Sequence, residues 1–159
     1  MSYFDNAATT YPKPDAVYSF MDSFYRNHGG SVGRGGYALA TTAKGLVDET
    51  RKLIQELMHC HAKQVIFTPT ATIALNMIIQ GAIVSGARSV YISPFEHNAV
   101  TRVLHHFEQL GQITVTELTV SESLEYDMVR IRYQFDAIRP DLVIVSHASN
   151  VIGLVAPVE

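Results

Sequence analysis

Three short segments hold most of the side chains able to bind or transform a ligand. They are Thr68-Pro69-Thr70-Ala71-Thr72, Ser93-Pro94-Phe95-Glu96-His97-Asn98-Ala99 and Ser146-His147-Ala148-Ser149-Asn150. The first combines small residues and hydroxyls with the expected start of a helix. Free backbone N–H groups and the helix dipole make such a start a natural seat for a phosphate. Thr70 and Thr72 can add hydroxyl donors, or can cap the helix and do nothing more. It is not a nucleotide P-loop, because no Gly-Lys-Ser/Thr follows. In the second segment, His97 can move a proton, bind a metal or stack on a planar ligand, or it can be satisfied by nearby backbone. In the third, His147 and Asn150 are further candidates, although asparagine is also a common turn former.

These segments follow hydrophobic stretches that read as strands. Val65-Ile66-Phe67, Ser89-Val90-Tyr91-Ile92, Ile113–Leu118 and Leu142–Val145 alternate with stretches of helical periodicity. Residues 71–84 read as a helix that is apolar nearly all round and therefore buried. Val100, Val103, Leu104, Phe107 and Leu110 mark a second helix, and Asp127 can cap a third running to about Ile138. Strand and helix in alternation predict a mostly parallel α/β sheet. In such sheets ligands bind beyond the carboxyl ends of the strands, and that is where all three segments fall.

The first part of the chain has a different character. Residues 1–14 read as an irregular arm with Pro12 and Pro14, and residues 15–159 as the α/β domain. Asp15 can cap a helix bearing Val17, Phe20, Met21 and Phe24 on one face. Gly29 and Gly30 offer it a left-handed terminus. A glycine-rich loop over residues 28–40 follows, and Thr41 or Thr42 opens a long amphipathic helix.

Composition narrows the classes. The chain has 159 residues, 47% apolar and 17% charged, with a net charge of −3. That balance, without basic or acidic blocks, argues against nucleic-acid and membrane-surface partners. No stretch reaches the ~18 uninterrupted apolar residues of a membrane span, and no leader pattern opens the chain. The lone Cys60 fits a reducing, cytoplasmic setting. His59-Cys60-His61 and His105-His106 lack the spacing of a zinc site, so no metal is expected.

Taken in order, several motifs resemble the class V aminotransferase family of pyridoxal phosphate enzymes, most of all its cysteine desulfurase and selenocysteine lyase branch. They are YFDNAATTYPKPDAV, the GRxxYxLA loop at Gly33–Ala40, FTPTATIALN, EHNAV and SHASNVIG followed by a proline. The resemblance implies the three-layer, parallel-sheet large domain of a fold-type I pyridoxal phosphate transferase, incomplete, with only its first strands. It implies that Ala71 and Thr72 hold the cofactor phosphate. It further implies that His97 stacks on the pyridine ring, and that Asn150 lies near the phenolic oxygen. Ala7, Ala8 and Arg34 would line the substrate side. Thr70, Ile73 and Ser31 depart from the residues usual in that branch.

The family places a pyridine-pairing aspartate, a glutamine and the Schiff-base lysine further along than residue 159. The lysines here are Lys13, Lys44, Lys52 and Lys63, all before or at the start of the first expected strand. The resemblance therefore implies the N-terminal portion of an amino-acid enzyme, inactive alone. Its hold on the cofactor would be weak or absent, and it would form a homodimer or associate with a C-terminal half. The first strand would lack its neighbours, which makes the isolated chain aggregation-prone, oligomeric or partly molten. The alternatives are a non-catalytic binding or regulatory module that joins a full-length relative, and an unrelated hydrolase built on Glu96, His97 and His147.

Overall fold

The computed structural model describes residues 2–33 and 35–158. They divide into two compact units, residues 1–67 and 68–159. The arm expected over residues 1–14 is defined by irregular backbone and the units by internal packing, so the two divisions describe different properties.

The second unit is a helix–sheet–helix sandwich. Its elements in order are α3 (Ala71–Val84), β1 (Ser89–Ile92), α4 (Asn98–Gln109), β2 (Thr114–Glu117), α5 (Met128–Ala137) and β3 (Leu142–Ile144). The three strands are parallel in the order β2-β1-β3. Val90 aligns with Val115 on one side and Leu142 on the other. Alternation along β1 sends its side chains to opposite faces. Val90 and Ile92 pack with Ile79 and Ile83 of α3 and Val100 and Leu104 of α4. Tyr91 packs on the other face with Leu118 and with Ile131 of α5. Its hydroxyl lies 2.9 Å from the Gln134 and Ile138 carbonyl oxygens. This is the parallel α/β sheet that the strand–helix alternation predicts, in the three-layer form that the family resemblance implies.

The first unit holds α1 (Asp15–His28) and α2 (Ala38–Leu57), which pack on each other. Several details differ from the sequence expectation. Pro14, not Asp15, stands at the N-cap of α1, and Asp15 opens the first turn, where its charge suits the dipole. Gly29 has φ −66, so it does not end the helix in a left-handed conformation. Its glycine is required by closeness instead, since a Cβ there would lie 2.8 Å from the Tyr25 carbonyl oxygen. The long helix starts before Thr41 and Thr42. Their hydroxyls donate to the Tyr37 and Ala38 carbonyls four residues back, which is a bond made inside a helix.

Two larger expectations are corrected. Val65-Ile66-Phe67 has no regular secondary structure and is not a strand, and Ile66 is 74% exposed. A strand needs a ladder partner, and among the described residues none pairs with it. Arg51 serves the segment instead. Its Nε donates to the Val65 carbonyl at 3.2 Å, and its guanidinium lies 5.5 Å from the Phe67 ring centre. Helix α3 is not buried all round either. Ile79 and Ile83 are buried against the sheet, whereas Met77, Ile78 and Val84 are exposed. Its composition is apolar on every side, but the sheet covers only one.

Candidate functional site

The turn before α3 is closed by its own hydroxyls. Thr68 Oγ1 donates to the Thr70 carbonyl at 3.0 Å, and Thr70 Oγ1 accepts from the Ile73 N–H at 3.2 Å. Thr70 is thus the N-cap of α3, and its hydroxyl oxygen is spent on the helix. Ala71 and Thr72 form the open first turn. Their N–H groups have no backbone or side-chain acceptor among the described residues, so they present the positive end of the helix.

The turn after β1 starts from Ser93, which is fully buried. Ser93 Oγ lies 2.7 Å from the Tyr126 hydroxyl and accepts from the Phe95 N–H at 3.0 Å. That anchor fixes where Glu96 and His97 emerge. His97 caps α4, its Nδ1 accepting from the Ala99 N–H at 3.0 Å. An Nδ1 that accepts leaves the neutral ring's proton on Nε2. The capping role and the ligand-facing role therefore fall on different nitrogens of one ring.

The turn after β3 is tied to this one. Both carboxylate oxygens of half-buried Glu96 are used by Ser146, whose N–H and Oγ donate to Oε1 and Oε2. Beyond Ser146 the chain doubles back. Ser149 N–H donates to the Leu154 carbonyl at 2.8 Å, and Ala148 pairs with Val155. Gly153 closes this turn at φ 70, a conformation that glycine adopts without strain. Asn150 stands exposed at its tip.

Of the residues singled out from sequence, Thr72 and His97 come together. They line one cleft of about 540 Å³ with Asn76, Asn98 and Arg102. Ala71 adjoins Thr72 at the same helix start. Asn150 and His147 do not line that cleft; they lie on the turn held to Glu96. Ala7 and Ala8 are exposed residues of a turn in the first unit, where the Ala8 N–H donates to the Asp5 carbonyl at 3.1 Å. Arg34 lies outside the described residues.

The Glu96–Ser146 bond has no local signature in the sequence, because the two residues are 50 positions apart. For Arg102 the signal is its four-residue spacing from Asn98 and His106 on one helix. Among the described residues, no three His, Cys, Asp or Glu side chains are grouped to hold a metal. No helix among them is long and apolar enough to cross a membrane.

Comparison with known proteins gives one consistent answer. The family model Aminotransferase class-V matches residues 2–159. The chain is 30% identical to "Cysteine desulfurase SufS" of Plasmodium falciparum (isolate 3D7), covering 99% of this chain and 30% of that protein. It is 28% identical to a "Probable cysteine desulfurase" of Halalkalibacterium halodurans, covering 99% and 39%. In three dimensions it superposes on the apo structure of a cysteine desulfurase from Thermococcus onnurineus NA1. The TM-score is 0.87 at 23% identity, over 98% of this chain and 39% of that one. The chain thus spans about 30–40% of the length of these relatives.

Proposed function

The chain belongs to the class V aminotransferase family, and from that premise we propose that it forms one wall of a pyridoxal phosphate site. The complete enzyme would act on cysteine or a related amino acid. The observation that carries the reading is the shared cleft of Thr72 and His97, one at the start of α3 and the other at the start of α4.

The residues present suit such a cofactor. A phosphate fits the Ala71 and Thr72 amides at a helix start, and no acidic side chain lines the cleft to oppose it. A planar ring fits beside the His97 imidazole, whose Nδ1 is immobilised by its bond to Ala99. Asn150 would lie near the phenolic oxygen; for Ala7, Ala8 and Arg34 a substrate-side role is what the family resemblance implies. When bound, the cofactor supplies an electron sink for carbanion chemistry. The protein residues supply binding, ring orientation, and at His97 Nε2 a proton to hold or pass.

No lysine occurs in residues 68–159, so no amine of that unit can tether the cofactor. The reading therefore assigns this chain weak, non-covalent affinity and no turnover alone. A polypeptide equivalent to the remaining length of the relatives would supply the tether. Co-expression with such a polypeptide tests it. The expected result is a co-purifying pair with a visible absorption band that Thr72→Val and His97→Ala each weaken. A pair that forms but carries no cofactor, or a chain that never associates, sinks the proposal.

A second reading is favoured by the apolar residues that α1 leaves uncovered, since none of its residues is buried. In it, the chain is a binding or regulatory module for a full-length relative. Capture of that relative by the purified chain, with the relative's turnover altered and no cofactor bound to the chain, would put this reading first.

A further inference from the structure

The cleft that contains Thr72 and His97 continues well past them, and its walls are matched. On α3, Thr72, Asn76 and Gln80 recur every four residues; on α4, Asn98, Arg102 and His106 do the same. Residues four apart on a helix share a face, so each set forms one continuous polar line. Each line runs about 12 Å at the helical rise of 1.5 Å per residue. Both helices lead back from the same edge of the parallel sheet, so their positive ends lie at one end of the groove.

The charges are one-sided. Every side chain lining the groove is apolar, neutral polar, histidine or arginine. Arg102 has no carboxylate within ion-pair distance among the described residues. It also borders a neighbouring depression that holds Glu108 and Glu117. Glu108 is engaged elsewhere, its Oε1 accepting from the Val115 N–H at 3.1 Å. Asn76 Nδ2 already donates to the Thr72 carbonyl at 2.9 Å, which leaves its second N–H and the Gln80 amide on the cleft wall. An arginine fork without a carboxylate partner, lining one cleft with those amide donors, offers the kind of groups that a planar or tetrahedral oxyanion needs.

We propose that Arg102, with Asn76, Gln80 and His106, binds a small oxyanion, a phosphate or a carboxylate. Its position is distinct from the helix start at Ala71 and Thr72. Along α4, Arg102 lies about 6 Å beyond Asn98. A ligand with two anionic groups would place one at the helix starts and the other at Arg102. The site stands whether or not the cofactor reading holds, because it uses neither Ala71 nor the His97 ring.

The test is a nuclear magnetic resonance titration of the whole chain, nitrogen-labelled, with no cofactor added. Inorganic phosphate and malonate are the probes, in separate series at fixed ionic strength, with chloride as the control. The expected result is a saturable shift of the Arg102 Nε–H and of the Asn76 and Gln80 side-chain amides. Response to phosphate alone or to malonate alone identifies the oxyanion class. Arg102→Gln should weaken that binding about tenfold, the scale of one charge-assisted contact. The first-turn amides of α3 should keep their own response. Arg102→Lys, which keeps the charge and loses the fork, should fall between. Equal titration of Arg102→Gln and the parent overturns the proposal. So does an unmoved Arg102 resonance, or a chloride response equal to the phosphate response.

Discussion

Residues 1–67 and 68–159 are built from similar proportions of apolar side chains but use them differently. In the second unit, Leu104, Ile79 and Val100 are buried almost completely against a sheet, and Val90 of that sheet beneath them. In the first, only Ala40 and Ala43 are buried among the described residues, and Phe4 and Leu57 remain 93% and 77% exposed. Amphipathic periodicity alone is therefore sufficient to write a helix, as in α1 and α2, but it does not provide the surface that buries the apolar face. A sheet does, because a strand commits alternate residues to two faces and so recruits helices to both.

This contrast is open to direct attack. The largest effect belongs to the core of the second unit. Leu104→Ala should cost about 2–5 kcal/mol, since the site cannot fully collapse around the lost volume. Leu53→Ala, on an exposed face of α2, should cost about 0.5 kcal/mol or less. Urea unfolding of the two variants gives the comparison, and similar midpoints would break it.

Next comes the tie between the site's turns. Glu96→Gln replaces a carboxylate oxygen by an amide donor facing the Ser146 N–H. The cost should be about 1–3 kcal/mol, with faster amide exchange at Ser146 while β1 stays protected. Unchanged Ser146 exchange would show that the two turns hold their positions independently. Thr70→Val removes the α3 cap at nearly constant volume and should cost about 1 kcal/mol. Fraying confined to residues 71–74 is the expected signature.

The smallest effect is electrostatic. The Asp141 carboxylate accepts from the Ser89 and Arg88 N–H groups at 2.9 and 2.8 Å. Those bonds, Ser89's first, hold its pKa below the ordinary 3.8. The folded form then binds its proton less readily than the unfolded form. This contribution is present above about pH 3.8 and fades as pH falls through the depressed value. Asp141→Asn should flatten that part of the acid limb in a stability–pH series. The same limb in variant and parent would count against it.

Much of the site was legible because it is local. A threonine before an apolar run announces a capped helix, and the EHNA and TPTAT turns each declare themselves within a few residues. The motif order also pointed to the family that the profile match shows. The lines around Arg102 were legible only as spacing. That they face a common cleft depends on how α3 and α4 pack on β1, which no single stretch encodes.

The sequence by itself determined the alternation of helices and strands from α3 to β3, the caps open to Thr70 and Asp127, and the absence of lysine after Lys63. Only the tertiary structure decided that Val65–Phe67 is not a strand, that half of α3 stays exposed, and that Glu96 reaches Ser146. The physical reason is the range of the forces. Caps and periodicity are settled within one helical turn. Strand pairing, burial and a carboxylate's choice of partner depend on which distant surfaces the chain brings together.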